Sequence, residues 1–113
     1  MIRVKFSPLA EQEVANAAEW FEGRRTGLGA EFISAVATVV ARLRQLPLSG
    51  PAVIARDAGV PIRRMVLPGF PYAVCYAVFA SHVQVLAVAH TRRKPGYWFS
   101  RAAPRRARTK RRR

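Results

Sequence analysis

Residues 28–46 read Leu-Gly-Ala-Glu-Phe-Ile-Ser-Ala-Val-Ala-Thr-Val-Val-Ala-Arg-Leu-Arg-Gln-Leu. Leu28, Phe32, Val36, Val39, Leu43 and Leu46 follow one another at steps of four, four, three, four and three, which is one face of an α-helix. Pro47 stops it, because the residue before a proline is pushed out of helical space. Upstream, Ser7-Pro8 starts a second helix. The serine caps free backbone amides, and the proline fits the first helical position. Glu11 and Glu13 suit the positive end of its dipole. Ala10, Val14, Ala17 and Phe21 give its apolar side, with small alanines for close packing. Gly23 to Gly29 forms the break, so the two helices make an antiparallel hairpin.

Strands flank the hairpin. Ile2-Arg3-Val4-Lys5-Phe6 alternates strictly and predicts a half-buried strand. Residues 47–61 hold three prolines and two glycines and predict a loop. Ile62 to Leu67 predicts a strand, with Arg63 and Arg64 breaking its alternation so that neither can be assigned to a face. Pro68-Gly69-Phe70-Pro71 is a turn. Tyr72 to Phe79 predicts a strand with Tyr72, Val74, Tyr76 and Val78 on one face. After a hairpin at Ser81-His82, the apolar run Val83 to Ala89 predicts the central strand. The order is β-α-α-β-β-β. The expected fold is α+β, a helical hairpin on one face of a small, mainly antiparallel sheet, with the other face open at one end or more.

The chain has 113 residues, enough for one small domain and not two. A 50% hydrophobic content excludes wholesale disorder. The single Cys75 lies in an apolar run and reads as a buried core thiol in a reducing compartment. No apolar stretch spans a bilayer and no signal segment is visible, so a cytoplasmic protein with no membrane partner is expected. The net charge is +14. Residues 1–100 hold 12 basic and 6 acidic residues, and residues 101–113 hold 8 basic and none acidic. More than half of the excess therefore sits in a basic tail that is expected to be disordered. Such a balance points to an anionic partner.

Two histidines and one cysteine lack ligand spacing, so no metal and no cofactor are expected. No phosphate-binding glycine loop and no nucleophile elbow is present. Three basic groups remain: Arg63-Arg64, the segment His90-Thr91-Arg92-Arg93-Lys94-Pro95-Gly96-Tyr97-Trp98, and the tail. The first two belong to strands of one meander, so their polar ends could converge on one sheet face. Cations interleaved with aromatic rings are a recipe for nucleic-acid binding. Surface arginines are by default solvated, and Trp98 reads as a pin for the chain end. His90 ends an apolar strand before three cations, and positive neighbours favour a neutral imidazole able to accept a proton. His82, on a turn, reads as incidental.

Four stretches together resemble one known family. They are Val4-Lys5-Phe6-Ser7-Pro8-Leu9-Ala10 with Ala18-Glu19-Trp20-Phe21-Glu22, then Gly27-Leu28-Gly29-Ala30-Glu31-Phe32, then Phe70-Pro71-Tyr72-Ala73-Val74-Cys75-Tyr76, and Val85 through Trp98. In this order and spacing the chain resembles the RelE/ParE toxins of type II toxin–antitoxin modules, of the plasmid-stabilisation type. The resemblance spans residues 1–100 as one domain and leaves the tail 101–113 outside it. It implies a growth-inhibiting toxin neutralised by a cognate antitoxin, for which an acidic partner suits the charge. ParE-like members poison DNA gyrase, and RelE-like members cut messenger RNA on the ribosome. Arg92 matches an arginine used in RelE-like cleavage, and Tyr97 or Trp98 a tyrosine. At the start of the third strand, where RelE-like members carry an arginine, this chain has Tyr72-Ala73. The resemblance therefore leans toward ParE. If the chain is instead a metal-independent endoribonuclease, His90, Arg92 and Tyr97 are its catalytic candidates. Arg63, Arg64, Arg93 and Lys94 are the candidates for holding nucleic acid or target. A plain nucleic-acid-binding module is the third reading.

Overall fold

The computed structural model describes residues 1–53 and 59–93. Residues 54–58 and 94–113, among them Lys94, Tyr97, Trp98 and the basic tail, lie outside the described residues. The elements are β1 (Arg3–Phe6), α1 (Pro8–Arg24), α2 (Leu28–Gln45), β2 (Ala52–Val53), β3 (Ile62–Val66), β4 (Tyr72–Val78) and β5 (His82–His90). They form one five-stranded sheet in the order β1-β5-β4-β3-β2. β1 runs parallel to β5, and every other pair is antiparallel.

Both helices start as their sequences dictate. The Ser7 hydroxyl accepts the Ala10 N–H at 3.1 Å and Pro8 stands in the first turn of α1. α2 has no such side-chain cap at Gly27, whose φ of +91° favours a residue without Cβ. Glu22, at the end of α1, supplies the missing acceptor. Its carboxylate takes the Gly27 N–H at 3.0 Å and the Gly29 N–H at 3.0 Å. The break between the helices is accordingly only Arg25 to Gly27, shorter than the glycines suggest. Gly29 belongs to α2, where it lets the helices close. A Cβ there would lie 2.6 Å from the Ala18 carbonyl oxygen.

The main core fills the space between helices and sheet. α2 contributes Phe32, Ala35, Val36, Val39 and Leu43, and α1 contributes Ala10 and Ala17. Val74 and Tyr76 meet them from β4, and Val83, Val85 and Val88 from β5. Leu46, read as part of the apolar stripe, falls just beyond α2 and is exposed. Tyr72, Val74, Tyr76 and Val78 share the helix face as the alternation predicts.

The sheet departs from expectation in three ways. Ala52–Val53, read as loop, pairs with β3 through Ala52↔Arg63 and Val53↔Ile62. Two residues carry no detectable alternation. With this fifth strand, the middle of the sheet is β4, and β5 is interior between β1 and β4. The far face is also less open than expected. Ile62, Cys75, Ala77, Leu86 and Ala87 are buried there, with Val53 and Val60 packed against them. Finally, β5 is bulged: Tyr76 faces Val85 while Cys75 faces Ala87, so Leu86 is the additional residue.

The bulge decides where β5 ends. Val83 and Val85 face the helices, and simple alternation would carry His90 to the far side. The additional residue shifts the phase, so Val88 faces the helices and His90 stands opposite Tyr72. Beyond the end of β1, the Glu13 carboxylate of α1 accepts the Val88 N–H at 3.0 Å, where a longer edge strand would have bonded it.

Candidate functional site

A cleft of about 590 Å³ opens where the C-terminal half of α1 passes the end of β5. Its helix wall is Glu13, Asn16, Ala17, Trp20 and Phe21, the spacing of a single helical face. Its sheet wall is Pro71, Tyr72, Val88, Ala89 and His90, and Arg93 stands at its mouth. The inner wall is held by ring packing. Phe21 lies 5.3 Å from Phe32 and 5.8 Å from Tyr72, and Tyr72 meets the His90 ring edge-on at 5.3 Å. Trp20 sits beside Phe21, about 100° round the helix, and is 56% exposed. The Arg24 guanidinium lies 4.9 Å over its ring. The opening is thus an aromatic surface with Arg24 over Trp20 on one side and Arg93 on the other.

The turn after β5 folds back on His90. The Arg92 N–H donates to His90 Nδ1 at 3.0 Å, and the Arg93 N–H to the His90 carbonyl at 2.9 Å. The Thr91 N–H donates to the Pro71 carbonyl at 2.8 Å and ties the turn to the start of β4. Both arginine side chains are exposed.

Arg63 and Arg64 are elsewhere. Arg63 faces the helix side opposite Tyr76, and its Nη1 donates to the carbonyls of Gly50 at 2.8 Å and Leu48 at 3.2 Å. It fastens the loop after α2. The same loop is fixed by the Gly50 N–H, which donates to the buried Tyr76 hydroxyl at 3.0 Å. Burial pushes the Tyr76 hydroxyl above its ordinary value of 10.0, against the opposing pull of the Gly50 bond and the Arg63 charge. Arg64 pairs with Cys75 and points to the far face. His90 is opposite Tyr72, so four residues of β4, about 13 Å, separate its level from that of Arg63.

The structure therefore brings His90, Arg92 and Arg93 together and leaves Arg63 and Arg64 apart from them and from each other. Lys94 and Tyr97 fall outside the described residues. His82 is held between Ser81 and Gln84, with Nδ1 2.9 Å from the Ser81 hydroxyl and Nε2 3.1 Å from Gln84 Oε1. Cys75 is buried, as its apolar setting predicts. Among the described residues no group of three or more His, Cys, Asp or Glu is placed to hold a metal ion. No helix there is long and apolar enough to cross a membrane. The sequence reading missed Glu13, Trp20 and Tyr72 as lining residues. The signal was present for Trp20: two large rings adjacent on one helix cannot both point inward.

Comparison with known proteins gives a family and a fold. A family model described as "ParE toxin of type II toxin-antitoxin system, parDE" matches residues 4–95. A solved structure described as "Chromosomal ParDE TA system from P. aeruginosa" has a chain that superposes with a TM-score of 0.66 at 15% identity, covering 80% of this chain and 96% of that one. At that identity the likeness speaks to the fold. No curated protein matches the sequence.

Proposed function

The chain belongs to the ParE toxin family of type II toxin–antitoxin modules, and from that premise we propose that it arrests growth by binding DNA gyrase, without catalysing a reaction itself. It is the toxin of its module and is partnered by an antitoxin. The observation that carries the non-enzymatic reading is the dispersal of its cations. Cleaving RNA by 2′-hydroxyl attack requires a proton acceptor, a proton donor and a cation around one phosphate, each within about 3 Å of the atom it serves. Here Arg63 is engaged with two carbonyls, Arg64 lies on the far face, and the start of β4 offers Tyr72 and a buried Ala73 in place of a cation.

The cleft suits the antitoxin. We assign to it an acidic amphipathic segment whose apolar side chains enter against Trp20, Phe21 and Tyr72. Its carboxylates would meet Arg24, Arg92 and Arg93 at the margins. Charge complementarity over an aromatic centre is the usual construction of a tight interface.

Pulse-labelling after induced expression tests the target. DNA synthesis should stop first, with messenger RNA intact. Under the same conditions His90→Gln should keep toxicity within about threefold, whereas loss of a positioned proton carrier costs about 10²–10⁴-fold. Protein synthesis stopping first, with messenger cut within codons and toxicity lost in His90→Gln, would replace this reading with the ribonuclease.

A further inference from the structure

β5 is an interior strand along only part of its length. β1 pairs with it from Arg3↔His82 to Phe6↔Val85, and the Ser7 N–H donates to the Val85 carbonyl at 3.0 Å as the last bond on that side. β5 then runs on to His90 with no described strand beside it there. Its other side fixes where its backbone groups point. The Thr91 N–H donates to the Pro71 carbonyl, and Ala89 and Ala87 stand opposite Ala73 and Cys75, so their groups are turned to β4. Those of Val88 and His90 are turned the other way, to the outer edge. Two contacts agree with this. The Val88 N–H donates to the Glu13 carboxylate at 3.0 Å, and the His90 carbonyl accepts the Arg93 N–H at 2.9 Å.

Between these two contacts lie the Val88 carbonyl and the His90 N–H. No described residue bonds either of them. Both belong to the cleft. Val88, Ala89 and His90 line it together although their side chains alternate across the sheet, so the cleft follows the edge of the strand and not one face alone. Water serves such groups on an open edge. Here the wall facing them is mostly apolar, with Ala17, Trp20 and Phe21, so a chain that bonds both groups also buries that wall.

The groups still open set the direction of such a chain. An antiparallel residue exchanges both bonds with the one residue opposite it. At Val88 the N–H is already on Glu13, and at His90 the carbonyl is already on Arg93. A parallel residue opposite Ala89 donates to the Val88 carbonyl and accepts from the His90 N–H, which are the two groups left over. β1 bonds β5 in the same sense just upstream. The residues on either side of this one turn their side chains to the helix face of the sheet, and the chain leaves past Arg93.

We propose that the antitoxin enters the cleft as an extended strand parallel to β5, with an apolar residue on each side of the one that bonds Val88 and His90, and with carboxylates following toward Arg93. This rests on the assignment of the antitoxin to the cleft and adds its conformation and its direction.

The test is a titration of the purified full-length chain with blocked peptides at millimolar concentration, followed by NMR and amide hydrogen exchange. The probe is Leu-Glu-Leu-Glu-Glu, in which only the second residue has apolar neighbours on both sides. It should shift the Trp20 indole and shift and protect the His90 amide. Methylating the backbone nitrogen of its second residue removes the donor to Val88 and should weaken binding by about tenfold or more. Methylating that of the third residue, which points away from β5, should change it by less than about threefold. The reversed sequence Glu-Glu-Leu-Glu-Leu carries its charge at the wrong end and should bind more weakly by about fivefold. Equal losses from the two methylations, or a Trp20 shift without one at His90, would overturn the strand and leave the antitoxin in the cleft. A His90 amide already protected in the free chain would contradict it too, since the edge would then be filled from within the chain. No shift at either residue would also reject it, and the cleft assignment is tested separately by Trp20→Ala against the antitoxin.

Discussion

Single residues close the turn between the helices. At Gly29 two effects compete. Alanine has the better helix propensity by about 1 kcal/mol. Its Cβ would stand 2.6 Å from the Ala18 carbonyl oxygen, a backbone atom that moves only if α1 moves. Overpacking decides the outcome, and Gly29→Ala should destabilise the fold by about 1–3 kcal/mol in urea unfolding. A stabilised variant would mean that the helices are not closely packed there. Glu22 gives the turn a pH dependence. The Gly27 N–H, then the Gly29 N–H, hold its carboxyl below the ordinary 4.5; desolvation works the other way, and the Arg25 charge adds a smaller pull downward. A carboxyl lowered on folding contributes stability above its unfolded value and loses it as pH falls through the folded value. The parent should therefore lose stability below about pH 4.5 more steeply than Glu22→Gln, as read from melting temperatures along a pH series. Coincident acid limbs would remove Glu22 from the account.

At the scale of elements, legibility in the sequence follows length and periodicity. α2 declares itself because its apolar stripe repeats through five turns, and β1 because polar and apolar residues alternate without a break. β2 has two residues and no period to detect. The bulge in β5 is hidden for a different reason: Val85 through Ala89 are apolar on both faces, so a change of phase leaves no mark in composition. That hidden phase sets the side on which His90 emerges, and so the shape of the cleft. His90 was readable as a strand end but its neighbours were not, and the fastening role of Arg63 depends on a loop that the sequence leaves without structure. The junction of α1 with β5 can be tested through Glu13. Removing its carboxylate withdraws the acceptor of the partly buried Val88 N–H. Glu13→Ala should cost about 1–3 kcal/mol, and Glu11→Ala, two residues nearer the exposed start of α1, less than about 0.5 kcal/mol. Equal costs would show that the clamp is not holding the strand.

For the whole molecule, the fold puts an aromatic cleft at one end, with Arg24 over Trp20 and Arg93 at its mouth. This cleft fits neutralisation by an acidic antitoxin, with Trp20 at its exposed centre. Trp20→Ala should weaken antitoxin binding by about 2 kcal/mol or more, close to thirtyfold in titration calorimetry, while leaving the melting temperature nearly unchanged. Unaltered affinity would move the antitoxin off the cleft. Membership of the family fixes the toxin role and the antitoxin partnership; the choice of target rests on the separation of Arg63 and Arg64 from the group of His90, Arg92 and Arg93. The most direct test of that choice is a supercoiling assay with purified gyrase, relaxed plasmid and the full-length toxin, with messenger RNA and ribosomes incubated in parallel. The account predicts that supercoiling stops, that added antitoxin restores it, and that the messenger stays whole. Supercoiling at the full rate beside a cleaved messenger would contradict it.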